Sequence, residues 1–406
     1  MTYLLDLGTT KVACLAAIRD DHGDVLAKAA AEVSCRGLQK GVVADLEVTS
    51  QAIDDVMRRV RAITGESPSS VIVNVNGAHV ESMNAQGFVP IYPRSRMITR
   101  EDVLHVINHS RQVMPLPDRE QVQAIPREFR VDGTKGITKP IGLNGGRLEV
   151  VTHIITAAAN SIQNVEKAVQ MAGYRVDQIV AQPVAAGLGV VSEQDRDLGV
   201  VAVDLGGGST TISIFQGGSL AYSSVLPVGA ALVTSDLSKL LKTSPEEAER
   251  LKINHGSAHA KPSQTMGTVE VLQIGQSQSR HLDRKVLCEI IESRMREIAV
   301  LVRQQIEKSG LNGLLPGGIV LTGGGSRLAG TDELFGSVMQ HMQVRASRPQ
   351  VQGPYASKAC QPEWAAIAGM AEFAMKAEEE EIAPATAVEN FRVKIRSLKA
   401  IFSTKA

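Results

Sequence analysis

The sequence has few cysteines, few aromatic residues and no excess of charge of either sign. Its four cysteines, Cys14, Cys35, Cys288 and Cys360, are scattered and form no C-x-x-C pair. This argues against a disulfide framework or a zinc site and favours a reducing cytosol. Lysine plus arginine equals aspartate plus glutamate at 43 each, so no overall field favours nucleic acid as a partner.

Long apolar runs are also missing. No stretch approaches the roughly 20 apolar residues that span a bilayer. The N-terminus begins a strand almost at once and lacks the charged-then-apolar layout of a signal peptide. We therefore expect an intracellular protein that does not cross a membrane.

Glycine and short β runs, in contrast, are plentiful. The 406 residues include 36 glycines and 43% hydrophobic residues, which is typical of a soluble α/β protein of two to four units. Strand-like runs such as SVIVNVNG (70–77) and GGIVLTGGG (317–325) alternate with helical patterns. In the helix predicted after residue 159, Asn160 can cap the start and Gly173 can end it.

One short pattern occurs twice. LLDLGTTKVAC (4–14) and AVDLGGGSTTISIF (202–215) both read strand, aspartate, glycine turn, hydroxyl residues and strand. Glycine turns expose backbone N–H groups that can bind a phosphate, and the hydroxyls of Thr9, Thr10, Ser209 and Thr210 add donors. Asp6 and Asp204 would repel phosphate unless a cation such as Mg²⁺ intervened. The alternative is a pair of ordinary hairpin turns, for which D-G and G-G dipeptides are common.

Two further segments can complete a nucleotide site. Gly323, Gly324 and Gly325 follow a strand and leave room for a flat ring on the backbone. On the helix TSPEEAERLKINHG, Glu249 and Lys252 are three residues apart and share a face. They could hold a ribose hydroxyl and a purine edge, or form a surface ion pair.

The ordered set of motifs resembles the actin, Hsp70 and sugar-kinase ATPase superfamily. It comprises DLGTTK, IVAQPVAAGLGV, VVAVDLGGGSTTISIF, AERLKINHG, GIVLTGGGSRLAG and PEWAAIAGMAEFA, which cover nearly the whole chain. The resemblance implies a duplicated actin-like α/β fold that binds ATP and Mg²⁺. It also implies a function for individual residues. Asp6 and Asp204 would organise the waters of Mg²⁺, and Gln182 would orient the attacking water. The cofactor-binding positions would be Gly8, Thr9, Thr10, Lys11, Gly206, Gly207, Gly208, Ser209, Thr210, Glu249, Lys252, Gly323, Gly324, Gly325 and Arg327.

The implied chemistry is weak. A glutamine orients water but is a poor base, so we expect at most a slow ATPase. We find no residue suited to be the base that a substrate-phosphorylating enzyme needs.

Changes in composition along the chain predict its division into domains. Six prolines punctuate a segment that reads as an inserted small α+β domain (1C) at 81–156. The remaining units follow the resemblance: subdomain 1A at 1–80, 157–192 and 350–376; subdomain 2A at 193–230 and 310–349; subdomain 2B at 231–309. Residues 377–387 read as a charged, then alanine- and proline-rich linker.

The last segment, 388–406, has the pattern of an amphipathic helix. Apolar residues recur at three- and four-residue steps, and the acidic Glu389 stands alone among basic neighbours. This predicts a helix that lies in a membrane interface and reaches anionic head groups, although a helix docked on the protein's own core is the alternative. The predicted membrane-binding residues are Phe391, Arg392, Ile395, Arg396, Leu398, Lys399, Ile401 and Phe402.

Within the superfamily, the insertion at 81–156, the stretch from GGSLAYSSVLPVG to LKINHGSA and the amphipathic tail most resemble the FtsA family of bacterial division proteins. The resemblance implies a filament-forming adaptor at the cytoplasmic face of the cell membrane and the division septum. It would bind the C-terminal tail of the tubulin-like protein FtsZ through residues 231–309, and other division proteins are implied partners. Basic residues in that region include Arg280, Arg284, Lys285 and Arg294. The alternatives are a pilus-assembly adaptor of the same fold, a small-molecule kinase and a chaperone-like ATPase.

Overall fold

The computed structural model describes residues 1–20, 23–93, 95–112, 117–261, 265–275 and 279–382. The described strands, in chain order, are β1 (Thr2–Leu7), β2 (Lys11–Arg19), β3 (Val25–Ser34), β4 (Leu38–Gln39), β5 (Val42–Val43), β6 (Ser70–Val75), β7 (Glu81–Pro90), β8 (Arg96–Met97), β9 (Arg119–Val131), β10 (Thr134–Ile137), β11 (Asn144–Gly145), β12 (Arg147–Ala158), β13 (Arg175–Ala181), β14 (Val200–Leu205), β15 (Thr210–Gln216), β16 (Ser219–Leu226), β17 (Thr268–Leu272), β18 (Ser279–Asp283), β19 (Ile319–Thr322) and β20 (Val344–Ala346).

Helices alternate with these strands. The described α-helices are α1 (Leu46–Thr64), α2 (Arg100–Arg111), α3 (Ala159–Met171), α4 (Gln182–Leu188), α5 (Glu193–Leu198), α6 (Ala231–Leu241), α7 (Pro245–His255), α8 (Arg284–Lys308), α9 (Thr331–Met339), α10 (Ala356–Ala359) and α11 (Ala365–Ile382). Two 3₁₀ turns, Gly324–Arg327 and Pro362–Trp364, lie between α8 and α11.

Two five-stranded sheets repeat one topology. The first has the order β3-β2-β1-β6-β13 and the second the order β16-β15-β14-β19-β20. In each, a three-stranded antiparallel meander leads into two parallel strands, and β1 and β14 occupy the same central place. The predicted duplication is therefore confirmed as a repeated sheet.

Helices α4 and α11 pack against each other with their backbones in close contact. A β-carbon on Gly369 of α11 would collide with the carbonyl oxygen of Ala185 and lie 2.6 Å from the backbone nitrogen of Gly189. The apolar core around these helices contains residues of both sheets, including Leu4 of β1 and Val200 of β14. The glycines allow this close crossing, which joins the two halves of the molecule.

The insertion forms a separate small α+β unit. Its sheet has the order β10-β9-β12-β7, and α2 packs on one face through an apolar cluster that includes Val106 and Leu148. Thr99 and Asp102 form a capping box at the start of α2, and Arg96 binds the Asp102 carboxylate with contacts of 2.6 and 2.7 Å. The predicted inserted α+β unit is therefore confirmed.

Polar contacts tie the insertion to strand β16 of the second sheet. The buried His153 ring bonds Ser223 Oγ at 3.0 Å through Nε2 and Asn84 Oδ1 at 2.9 Å through Nδ1. Ser82 Oγ donates to the carbonyl oxygen of Ser223 at 2.7 Å, and Asn84 donates to that of Ala221 at 3.2 Å. The insertion thus contacts the half of the chain that follows it.

Helix α11 extends to Ile382, six residues into the segment that the sequence predicts as a linker, and its apolar face packs on the core as far as Met375. Residues 383–387 of that linker lie outside the described residues. So do the predicted membrane-binding residues 391–402. In the described part of the chain, we find no helix with the length and apolar character needed to span a bilayer.

Candidate functional site

The two aspartate–glycine motifs fold into equivalent turns. Gly8 donates its backbone N–H to Lys11 O at 3.0 Å, and Gly206 donates to Ser209 O at 3.0 Å. Each turn joins the central strand of its sheet to the next antiparallel strand, and each aspartate is the penultimate residue of that central strand. The repeated pattern in the sequence is therefore a repeated structure.

The two turns face each other across the cleft between the sheets. A β-carbon on Gly207 would lie 2.7 Å from Thr10 Cγ2, and one on Gly208 would collide with Thr9. Asn76, which follows β6, donates from Nδ2 to Ser209 Oγ across the cleft at 3.1 Å. A β-carbon at Gly208 would also lie 2.8 Å from Thr9 Cβ, which no rotation of the threonine relieves, so glycine is required there for the turns to approach this closely.

A chain of amide hydrogen bonds joins the two aspartates. Asn74 Nδ2 donates to Asp6 Oδ1 at 2.6 Å and to Gln182 Oε1 at 2.8 Å. Gln182 Nε2 then donates to Asp204 Oδ2 at 3.0 Å. Gln182 is the first residue of α4, so the chain runs from β1 and β6 through α4 to β14.

Both aspartates are buried, and the negative charge of Asp204 disfavours ionisation of Asp6. Burial, reinforced by the charge of Asp204, raises the pKa of Asp6 to about 6, although Lys11 and the Asn74 hydrogen bond oppose the shift. Burial also raises the pKa of Asp204, against the hydrogen bond from Gln182. A divalent cation between the turns would relieve this unfavourable pair of charges.

The third glycine segment lies directly against the second turn. A β-carbon on Gly323 would lie 2.7 Å from Leu205 O, and one on Gly325 would lie 3.2 Å from Ala230 Cβ. Ala230 in turn donates its backbone N–H to Gly206 O at 2.9 Å. The sequence did not single out residues 229–231, yet they connect the two glycine segments.

Glu249 and Lys252 form the ion pair that the sequence left as one alternative. Lys252 Nζ lies 2.7 Å from Glu249 Oε2, and Thr234 Oγ1 contacts both groups. The Lys252 side chain is largely buried, and its Nζ lies 3.5 Å from Ala230 O. The pair therefore lies beside the segment that connects the glycine loops, and not on a remote surface.

Lys11 lies at the side of the cleft, next to the chain's single tryptophan. Its Nζ pairs with Glu32 at 2.6 Å and lies 5.0 Å from the centre of the Trp364 ring. The neighbouring Glu363 pairs through Oε1 with Arg327 at 2.7 Å, near Gly324. The predicted residues Lys11 and Arg327 thus have carboxylate partners at the edge of the site.

Thr210 has a different environment from the one the sequence predicts. Its side chain is fully buried, and its hydroxyl donates to Val228 O at 2.8 Å. Since that hydrogen is already used, Thr210 anchors the segment after β16 instead of offering a donor to a phosphate.

Sequence reasoning missed the two asparagines at the end of β6. Asn74 and Asn76 interrupt the apolar strand SVIVNVNG just where it enters the cleft. Polar residues at the carboxyl end of a buried strand next to β1 were the available signal.

The donor set fits Mg²⁺ that is held mainly by water and phosphate. Within the described ranges, no group of three or more His, Cys, Asp or Glu side chains could hold a metal ion. Two carboxylates face the cleft, and Mg²⁺ in nucleotide sites is usually held by one or two carboxylates plus phosphates and water.

Three family models match parts of the chain. One described as "Cell division protein FtsA" matches residues 201–369, and one described as "SHS2 domain inserted in FTSA" matches residues 77–156. A third, described as "Hsp70 protein", matches residues 158–222. The insertion model thus covers the small unit built on β7, β9 and β12.

Curated relatives match over most of the chain. The cell division protein FtsA of Neisseria meningitidis is 34% identical over 376 residues, which are 92% of this chain and 90% of that protein. FtsA of Pseudomonas aeruginosa is 35% identical over 351 residues, or 85% and 82% of the two chains. Among solved structures, a PilM–PilN type IV pilus biogenesis complex has a TM-score of 0.65 at 18% identity, covering 92% of this chain and 98% of that one. That likeness shows a shared fold.

Proposed function

The chain belongs to the FtsA family of cell division proteins, and on that premise we propose that it is an actin-like, ATP-binding adaptor that tethers the FtsZ ring to the cytoplasmic membrane. The observation that carries the nucleotide part of the proposal is the pair of equivalent turns with buried aspartates. They face each other across one cleft.

In this proposal, ATP and Mg²⁺ bind between the turns. The backbone N–H groups of residues 9–10 and 207–208, with the hydroxyls of Thr9, Thr10 and Ser209, would bind phosphate oxygens. Asp6 and Asp204 would hold water ligands of Mg²⁺, and the cation supplies charge neutralisation to the phosphates. Gln182 would orient a water, so that hydrolysis, where it occurs, is slow. Residues 323–325, Lys252 and Glu249 would border the nucleoside.

Calorimetry with ATP, with and without Mg²⁺, tests this site. We expect Mg²⁺-dependent binding by the wild type and a loss of at least about tenfold in Asp204→Asn, because a charged group near the cation is removed. Asp118→Asn, at an exposed aspartate of the insertion, is the matched control. Equal binding by the Asp204 variant, or binding indifferent to Mg²⁺, would contradict the proposal.

The membrane part of the proposal rests on the sequence pattern of residues 388–406. Each basic residue near an anionic surface contributes about 1 kcal/mol, and several partly buried apolar side chains add to that. One tail should therefore bind reversibly, and self-association would strengthen attachment through avidity. The test is co-sedimentation with anionic liposomes, comparing the whole chain with one that ends at Ala387. The matched variant Arg392→Glu/Arg396→Glu/Lys399→Glu keeps the apolar face. Pelleting of the truncated chain would refute the tail as the anchor.

Self-association is a separate part of the proposal, implied by the family resemblance. Sedimentation and negative-stain electron microscopy of the protein with Mg-ATP on lipid monolayers test it. Filaments are the expected result, whereas single particles at every concentration would contradict it.

A groove between α6 and α8 is our candidate for the FtsZ tail. It is lined by Asp236, Leu240, Val286, Glu289, Ile290, Ser293, Arg294 and Glu297. Leu240 is 65% exposed. Arg294 pairs with Asp236 at 2.7 Å and with Glu297, so the groove offers apolar contacts with an acidic excess. Of the basic residues that the sequence singled out in this region, Arg294 lines the groove.

Fluorescence anisotropy with an FtsZ C-terminal tail peptide tests the groove. Leu240→Glu is expected to weaken binding at least about tenfold, because a charge replaces an exposed apolar contact. Leu314→Glu is the control, since Leu314 is also exposed, at 54%, and is absent from the groove lining. Equal affinity of the two variants would remove the groove as the docking site.

The pilus-assembly alternative is not favoured. The likeness to the PilM–PilN complex is at 18% identity, whereas the curated relatives at 34 and 35% identity are cell division proteins. Phosphoryl transfer from ATP to a small molecule would be the result that favours the kinase alternative.

A further inference from the structure

The hydrogen bonds that link Asp6 to Asp204 through the side-chain amides of Asn74 and Gln182 can have only one donor-to-acceptor direction. At its first end, Asn74 Oδ1 accepts the backbone N–H of Leu7 at 2.7 Å. A backbone N–H is a donor, so the Asn74 oxygen must face it and the Asn74 amino group must face Asp6 and Gln182. At the far end, the carboxylate of Asp204 is an acceptor, so the amino group of Gln182 must face it.

Asn74 and Asp204 therefore together determine which way the Gln182 amide lies. The Asn74 amino group is shared between Asp6 and Gln182 Oε1, and a flip of Gln182 would set two amino groups against each other and its oxygen against Asp204. Asn74 is 1% exposed and Gln182 is also buried, so bulk water cannot substitute for these bonds.

We propose that Asn74 is a positioning residue that holds the Gln182 amide in this one orientation and thereby connects β6 of the first half to Asp204 of the second. The inference rests on the proposed function only in assigning Gln182 to the water that attacks the nucleotide. The connection itself is a property of the nucleotide-free chain. Its consequence is that Gln182 keeps one oxygen lone pair for a water and cannot rotate away from Asp204.

A double-mutant cycle on the nucleotide-free protein tests the connection. Thermal unfolding is measured for wild type, Asn74→Ala, Gln182→Ala and the double variant. Since the two side chains share one hydrogen-bond network, we expect the double variant to lose clearly less in Tm than the sum of the two single losses. Additive losses would overturn the proposal.

Asn76 provides the matched control cycle. It is also an asparagine at the end of β6, but its amide contacts Ser209 and Gly77 and has no hydrogen bond to Gln182. Asn76→Ala and Gln182→Ala should therefore be additive. If Asn74→Ala does not fold, Asn74→Ser replaces it, because serine keeps a polar group at this buried position but lacks the amino group that bonds Gln182 Oε1.

Turnover kinetics supply a second readout that a merely structural role would not move. We expect Asn74→Ser to lower kcat for ATP by about tenfold and to change KM by less, because Gln182 is misplaced while the phosphate-binding turns remain. A raised KM with unchanged kcat would contradict the positioning role. A wild type that binds no ATP would refute the proposed function, while the cycle on the nucleotide-free protein would still decide the role of Asn74.

Discussion

Replacing Asp6 by asparagine is expected to stabilise the nucleotide-free protein at neutral pH. The wild-type carboxylate is buried beside Asp204, and its pKa rises from 3.8 to about 6. Each pKa unit corresponds to 1.36 kcal/mol, so the ionised Asp6 costs about 3 kcal/mol relative to an unshifted carboxylate. Asparagine has the same shape, carries no charge and can still accept the hydrogen bond from Asn74.

The raised pKa of Asp6 determines how the stability gained by Asp6→Asn changes with pH. Well below pH 4 the carboxyl group is protonated in both the folded and the unfolded chain, and Asp6 then costs nothing. Between about pH 4 and 6 the unfolded chain releases the proton while the folded one retains it, so wild-type stability falls as the pH rises. Above pH 6 the full cost is present. The gain from Asp6→Asn should therefore be small at pH 4 and largest at pH 7 and above.

Denaturant unfolding of both proteins at several pH values, followed by circular dichroism, measures the difference. Asp118→Asn is the control for the loss of an exposed carboxylate. Saturating Mg-ATP should reverse the order, because the wild type gains binding energy that the variant lacks. An Asp6→Asn variant that is less stable than wild type at pH 7 without nucleotide would refute the electrostatic reasoning.

Three further predictions concern other contacts. Gly207→Ala should cost about 1–3 kcal/mol, because its β-carbon would meet Thr10 Cγ2 at 2.7 Å; Thr10→Ser should restore the Tm, and a failure to do so would argue against contact between the turns. Trp364, the chain's single tryptophan, lies 5.0 Å from Lys11; its emission should change on addition of Mg-ATP, and constant emission at saturation would contradict a site beside Lys11. Hydrogen bonds from Arg96 hold the pKa of Asp102 well below its usual range. The insertion should therefore lose stability as the pH falls below about 4, measured by hydrogen exchange, and Asp102→Asn should abolish that dependence.

The duplicated turns could be predicted because each is encoded locally. Strand, aspartate, glycine and hydroxyl residues stand within one short segment, and the same segment occurs twice. Asn74 could not be predicted in this way, because its partners Asp6 and Gln182 are 68 and 108 residues distant. Thr210 shows the reverse error. Its residue type is right for a phosphate donor, but tertiary structure directs its hydroxyl to Val228 O.

The start of α3 was also predicted wrongly, again because a contact distant in sequence decides it. Asn160 was predicted to cap α3, but the helix begins at Ala159 after Ala158, without a side-chain cap. The backbone N–H of Ala159 instead donates to Asp118 O at 2.9 Å, and Asp118 precedes β9. The carbonyl group of a residue distant in sequence thus accepts a hydrogen bond at the start of the helix, where the sequence predicted a cap by the Asn160 side chain. At the start of α2, by contrast, the cap Thr99 and its partner Asp102 are only three residues apart, so the signal is local.

The late position of α11 in the chain determines when the core of the first sheet can form during translation. This helix packs against α4 and contributes Ile367, Met370 and Phe373 to the same core as Leu4. The first sheet is translated early, yet it lacks this part of its interior until α11 has left the ribosome. Residues beyond 382 follow only after that. The N-terminal sheet therefore cannot complete its core until α11 has been synthesised, and the tail proposed to bind lipid emerges later than every residue of that core.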